Sequence, residues 1–207
     1  MKTLKIHDRR QRKHYVMKMI SSMILMIMMV SALPSIIPSG NETSNATQYI
    51  LQSGAPPPRL ATGVPITVDQ KAATLIKTSF PASFVSAAIY LTTPLVKPNN
   101  SIILSLCNNV EFSLAPNTSS CLETSQFELP PVKRIHIEWQ STTHPKLIEN
   151  QTYWLVVESN IKEFEDSFSW LDAESFNHTT SYFEDNVWKL ELDRPQSSTI
   201  DFLVHVD

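Results

Sequence analysis

From Ile66 onward, apolar and polar positions alternate with a period of two. Val85, Ala87, Ile89 and Leu91 are spaced by Ser86, Ala88 and Tyr90. Ile102, Leu104 and Leu106 form the next short run, and Ile135, Ile137 and Trp139 are spaced by His136 and Glu138. Tyr153, Leu155 and Val157 follow, then the pair Phe168 and Trp170. Trp188, Leu190 and Leu192 alternate with Lys189, Glu191 and Asp193, and Ile200, Phe202, Val204 and Val206 with Asp201, Leu203, His205 and Asp207. Such alternation gives each strand one buried face and one wet face. Seven or more strands separated by Pro and Asn clusters predict an all-β fold. Its form is an antiparallel β-sandwich or jelly roll, a single domain over residues 66–207. No segment sustains a 3.6-residue period. Residues 72–80 are ambiguous, but Thr74, Thr78 and Pro81 favour a strand.

The stretch from Leu147 to Asn160 departs from alternation. A turn-like entry at Glu149 and Asn150 leads into Thr152-Tyr-Trp-Leu-Val-Val157, a run of β-branched and aromatic residues closed by Glu158-Ser-Asn160. That is the profile of a buried central strand. The phrase Leu147-x-x-x-x-Thr-Tyr-Trp-Leu-Val-Val157 stands in a wider order: Ser79-Phe80, Val85-x-x-x-Ile89-Tyr-Leu91, Ile103-Leu-Ser-Leu106, Ser169-Trp170, Val187-Trp188 and Phe202-x-Val204. Over residues 70–207 this resembles the choice-of-anchor domains of bacterial secreted and surface proteins, nearest the R type. The resemblance implies an extracellular β-sandwich with no established catalytic residues to carry over. Two features depart from the family pattern. Cys107-Asn-Asn and Ser-Ser-Cys121 stand where a Gly/Pro-rich turn is expected, and no sorting signal follows the last strand. Any anchor is therefore expected at the N-terminus.

The N-terminus has a different composition. Seven Lys/Arg precede residue 19, opposed by Asp8 alone, and all seven Met fall within the first 29 residues. An apolar run of 14 residues, Met19 to Ala32, follows the basic segment, and Val30-Ser-Ala32 suits cleavage after Ala32. Residues 1–32 therefore read as a signal peptide. The run is short for a membrane span, which needs about 20 residues. Extension to Ile37 gives the alternative, an uncleaved type II signal-anchor with the basic segment in the cytoplasm. Residues 33–65 hold all three Gly and a Pro56-Pro57-Pro58 run, and they read as an extended linker. Gln48 to Leu51 could add an edge strand there. From residue 33 onward there are 10 basic and 19 acidic residues, a net charge of −9. Such a surface repels nucleic acid and anionic lipid. Membrane contact is expected only through the N-terminal segment.

An oxidising compartment changes the reading of the two cysteines. Cys107 and Cys121 lie 14 apart, which suggests one disulfide. Their spacing is not Cys-x-x-Cys, and no His ligands lie nearby for zinc. Six sequons occur, at Asn41, Asn45, Asn99, Asn117, Asn150 and Asn177. Chance would give about two, which favours a glycoprotein. Asn99 and Asn117 read as loop residues flanking the disulfide, and Asn150 as the surface end of the central strand.

Candidate chemistry is sparse. His136, Glu138 and His205 could share a wet face, although lone outward His and Glu on alternating strands are usually solvated. Glu163, Glu165, Asp166, Asp172, Glu174, Glu184 and Asp185 form an acidic region, so structural calcium is the one cofactor left open. No Asp-x-Asp-x-Asp-Gly loop, Gly-x-Ser-x-Gly, His-Glu-x-x-His or phosphate loop is present. No catalytic residue is assigned. Among four tryptophans, Trp139 falls in the apolar register and is expected in the core. Trp154 is out of step with Tyr153, so one of the two faces the second side of its sheet. Trp154 and Trp170 are candidates for stacking on a sugar, with core packing as the competing reading. The expected protein is a secreted or cell-surface glycoprotein with a non-catalytic, structural or adhesion-like β-sandwich. Its partner would be an extracellular protein or glycan. A carbohydrate-binding module and an extracellular enzyme with a dispersed site are the alternatives.

Overall fold

In a computed structural model of the chain, β9 (Thr152–Ser159) is an interior strand with buried side chains on both faces. The structure describes residues 46–54, 56, 63–92, 99–110, 114–130, 132–173, 179–191 and 198–207. The expected signal segment, Asn41, Asn45, Asn177 and Glu174 lie outside these residues.

The described residues form β1 (Thr47–Gln52), β2 (Gly63–Ile66), β3 (Lys71–Lys77), β4 (Ala82–Thr92), β5 (Ser101–Asn109), β6 (Pro116–Glu128) and β7 (Arg134–Gln140). They continue with β8 (Lys146–Leu147), β9, β10 (Phe168–Leu171), β11 (Thr180–Glu184), β12 (Val187–Glu191) and β13 (Asp201–Val206). A single 3₁₀ turn, Phe164–Asp166, precedes β10. The strands make two antiparallel sheets, so the chain is an all-β sandwich. In the first sheet, β13 and β10 lie end to end along one edge of β4, and β7 and β8 along the other. β1 flanks β13, and β2 flanks β10. The second sheet runs β12-β11-β3-β9-β5-β6.

The core follows the alternation with one break: a bulge between Phe84 and Ser86 turns Phe84 inward and leaves Val85, expected in the core, half-buried on the outer face. Phe84, Ala87, Ile89 and Leu91 of β4 point inward, as do Ile135, Ile137 and Trp139 of β7 and Phe202 and Val204 of β13. Leu104 and Leu106 of β5 meet them from the second sheet with Tyr153, Leu155 and Val157 of β9. Trp139 meets Phe84 edge-on at 4.9 Å between centroids, and Phe84 stacks on Phe202 at 4.8 Å. Such pairs add to the burial of apolar area.

Three boundaries differ from expectation. The edge strand expected at Gln48 to Leu51 forms as β1, and β2 forms as well within the stretch read as linker. β1 is there because β13 offers it an edge, a partner that local Pro and Gly density does not reveal. Asn117 lies within β6 rather than in a loop. β12 alternates in sequence but lies outside the core: Val187 is 58% and Leu190 37% exposed, and Trp188 is half-buried against the outer cluster. It is an edge strand beyond the reach of the opposing sheet.

Cys107 and Cys121 form a disulfide, directly paired across β5 and β6. It lies on the outer side of the second sheet, where Cys107 packs with Ala73, Trp154 and Val156, and Cys121, Leu75 and Trp188 border the cluster. β9 is thus apolar on both faces because it serves two clusters.

Candidate ligand-binding face

The outer face of the first sheet carries a concave polar surface built from four strands. β4 presents two small outward residues, Ser86 and Ala88, ahead of Tyr90 on the same face. The pairing places Asp201, Ala88 and Glu138 in one row across β13, β4 and β7. The next pair along, Tyr90 and His136, stacks its rings at 4.5 Å with 26° between planes. On the other side, Tyr49 of β1 pairs with Leu203, which pairs with Ser86. The result is a trough of about 180 Å³ lined by Tyr49, Ser86, Ala88, Tyr90, His136, Glu138 and Asp201. Its floor is low because two small side chains stand where neighbours are long.

The carboxylates are positioned differently. Asp201 Oδ1 accepts backbone N–H bonds from Ser53 at 3.0 Å and Gly54 at 3.3 Å. Gly54 has φ +72°, a conformation glycine adopts without strain. Ser53 also receives the Ile200 N–H on its hydroxyl, at 2.6 Å, which pins the turn after β1 to the start of β13. Glu138 is exposed and accepts from Gln140 Nε2. An ionised carboxylate has about four acceptor sites, so both retain capacity for a ligand.

A second depression of about 460 Å³ lies farther along the same face, lined by Ser83, Val85, His144, Lys146, His205 and Asp207. Ser83 Oγ and Lys146 Nζ both donate to Asp207 Oδ1 at 2.8 Å. The Lys146 ammonium, then the Ser83 hydroxyl, hold the Asp207 carboxyl below the usual range, against a smaller opposing effect of desolvation. His144 Nδ1 lies 3.2 Å from the Phe84 carbonyl. Ser, His and Asp meet here in composition, but the serine hydroxyl is committed to the carboxylate. Activation of a serine nucleophile requires a hydrogen bond to its base instead. The three residues expected on a wet face are therefore split. His136 and Glu138 line the trough, and His205 lines the second depression.

The tryptophan stacking assignment is corrected. Trp154 and Trp170 are both 0% exposed and cannot meet a sugar ring. Trp154 donates from Nε1 to Asn109 Oδ1 at 2.9 Å beside the disulfide. Trp170 donates to the Thr199 carbonyl at 2.7 Å inside the sandwich. A buried indole with its N–H satisfied packs better than an exposed one.

Among the described residues, the acidic side chains considered for calcium do not converge. Glu163 and Glu165 are exposed beside the 3₁₀ turn, Asp172 is buried opposite Ser198, and Glu184 and Asp185 hold Lys189 at 2.6 and 3.4 Å. No cluster of three metal-ligating side chains occurs among the described residues. Asn99 and Asn150 are exposed at positive φ, 71° and 62°, which asparagine tolerates. Half-buried Asn117 accepts at Oδ1 from Ser119 Oγ at 2.7 Å, the hydroxyl of its own sequon.

One polar site escapes sequence reasoning. Glu123 on β6 is 8% exposed. It accepts from Ser141 Oγ at 2.6 Å, Thr142 N at 2.7 Å, Thr142 Oγ1 at 3.1 Å and Thr143 Oγ1 at 2.8 Å. Burial disfavours its charge, but the bonds from Ser141, Thr142 and Thr143 together outweigh that and hold its carboxyl below the ordinary glutamate value. The bond set ties the edge of the second sheet to the segment between β7 and β8 of the first.

These features define a disulfide-stapled β-sandwich with a polar, aromatic-walled trough on one sheet. No family model matches the chain, and no curated protein matches it. The likeness to choice-of-anchor domains rests on the strand phrases alone. No helix among the described residues is long and apolar enough to cross a membrane.

Proposed function

We propose that the chain is a secreted, non-catalytic binding module, adhesion-like in that it presents the outer face of its first sheet to an extracellular partner. The trough between Tyr49 and the Tyr90–His136 stack carries this reading. Preformed concavities with aromatic walls and a few convergent polar groups are where ligands bind. The disulfide, the apolar N-terminal segment and the excess of sequons support an oxidising, secretory setting. The commitment of Ser83 to Asp207 supports a binding role over hydrolysis. A glycan-binding role is the second reading. It is favoured by Tyr49, 51% exposed beside two carboxylates, and it moves the stacking surface from the buried tryptophans to the tyrosines.

The test uses full-length secreted chain on a panel of extracellular matrix proteins and immobilised glycans, beside Ser86→Trp, which fills the trough from its floor. The expected result is a saturable ligand whose binding falls at least about tenfold in Ser86→Trp. Saturable binding that Ser86→Trp leaves unchanged places recognition elsewhere and overturns the assignment of this face.

A further inference from the structure

We propose that the trough receives the guanidinium group of an arginine side chain from a partner protein. This rests on the reading that the outer face of the first sheet is the recognition face, and it names the chemistry recognised there. Charge decides first. The lining contains two carboxylates, Glu138 and Asp201, and neither Lys nor Arg. The chain from residue 33 onward carries a net charge of −9, so the surrounding field also favours a cation over a neutral or anionic group.

Shape decides next. Glu138 and Asp201 stand on opposite sides of Ala88 in one cross-strand row, so a group lowered onto the floor has an acceptor on each flank. The walls are flat rings: Tyr49 on one side, and Tyr90 stacked on His136 on the other. A guanidinium is planar, offers five N–H donors in a fixed fork and stacks on aromatic faces. It is also less strongly hydrated than an ammonium, which favours Arg over Lys in a narrow polar slot. Its fork pairs bidentately with a carboxylate. The two acceptors have separate roles. Asp201 is held in place by the Ser53 and Gly54 amides, whereas Glu138 is exposed and can adjust. A neutral sugar could stack on the same tyrosines and donate hydroxyls to the carboxylates, but it would bring no positive charge to meet theirs.

The experiment titrates full-length ¹⁵N-labelled chain with N-acetyl-arginine amide, and separately with the lysine amide, the citrulline amide and methyl glycosides, following amide shifts. Citrulline keeps the shape of arginine and removes the charge. The arginine compound is expected to shift the Ser86, Ala88 and Asp201 amides saturably. Lysine and citrulline should bind at least about tenfold more weakly, and Glu138→Gln should weaken arginine binding by a similar factor. Glu138 makes one exposed side-chain contact, with Gln140, so its variant tests charge without disturbing the fold. Three results overturn the proposal: no saturable arginine shift, equal binding of citrulline, or an arginine shift unchanged in Glu138→Gln. Saturation of these amides by a glycoside alone also overturns it, while leaving the face as the recognition surface. Retention of protein-ligand binding by Ser86→Trp would instead remove the face itself.

Discussion

Trp154 and Gly63 show how a single side chain depends on what its sheet does elsewhere. Trp154 is buried on the outer side of the second sheet because the disulfide, Ala73 and Val156 surround it, and its N–H is satisfied by Asn109. Trp154→Ala should destabilise the fold by about 3–5 kcal/mol, read as a lower urea midpoint. Binding at the trough of surviving folded protein should be unchanged. Gly63 sits where β2 passes β10 closely, and a Cβ there would stand 2.4 Å from the Trp170 carbonyl oxygen. Relief requires the two strands to separate. Gly63→Ala should therefore cost about 1–3 kcal/mol by thermal unfolding, and Gly54→Ala about 1–2 kcal/mol, from its left-handed φ of +72° rather than from crowding. Sequence placed Trp139 in the core and set Trp154 on the opposite face from Tyr153. It could not show that Trp154 is covered, because its cover comes from β3 and β5 and from the disulfide, all distant in the chain.

At the scale of elements, two ties hold the edge strand β6. The disulfide links it to β5, and Glu123 links it to the segment between β7 and β8. Replacing both cysteines by Ser should cost about 3 kcal/mol on the chain-entropy argument, measured by denaturant unfolding. Glu123→Gln should cost about 2 kcal/mol at neutral pH, since charge-assisted bonds are replaced. The Glu123 pKa is lower folded than unfolded. Its stabilisation is therefore complete above the unfolded carboxylate value and is lost as pH falls through the lowered folded value. The gap between the urea midpoints of wild type and Glu123→Gln should be widest above about pH 5 and close as pH falls below it. A constant gap across that range would remove the charge from the account. The period-two pattern made β7 and β13 legible because each has one core face and one wet face, but in β4 it put Val85 in the core where a bulge turns Phe84 in instead. β12 was overread, since alternation does not reveal whether an opposing layer reaches the strand. Glu123 was missed because its partners lie about eighteen residues away and share no motif with it.

At the scale of the molecule, the chain crosses repeatedly between sheets, so distant segments build each surface. The trough takes Tyr49 from β1, its floor from β4, Glu138 from β7 and Asp201 from β13. Its floor was in the sequence as two small residues, Ser86 and Ala88, alternating with Ala87 and Ile89. Its walls were legible only in part: Gln48 to Leu51 was read as an edge strand, but nothing local placed Tyr49 beside β13. The most direct test of the central claim compares the binding of one extracellular ligand by wild type, Ser86→Trp and Val85→Trp in surface plasmon resonance. Ser86→Trp fills the trough, and Val85→Trp crowds the second depression on the same face. The account predicts that Ser86→Trp loses binding by at least about tenfold while Val85→Trp retains it. Retention by Ser86→Trp, with both variants folded by circular dichroism, would contradict it.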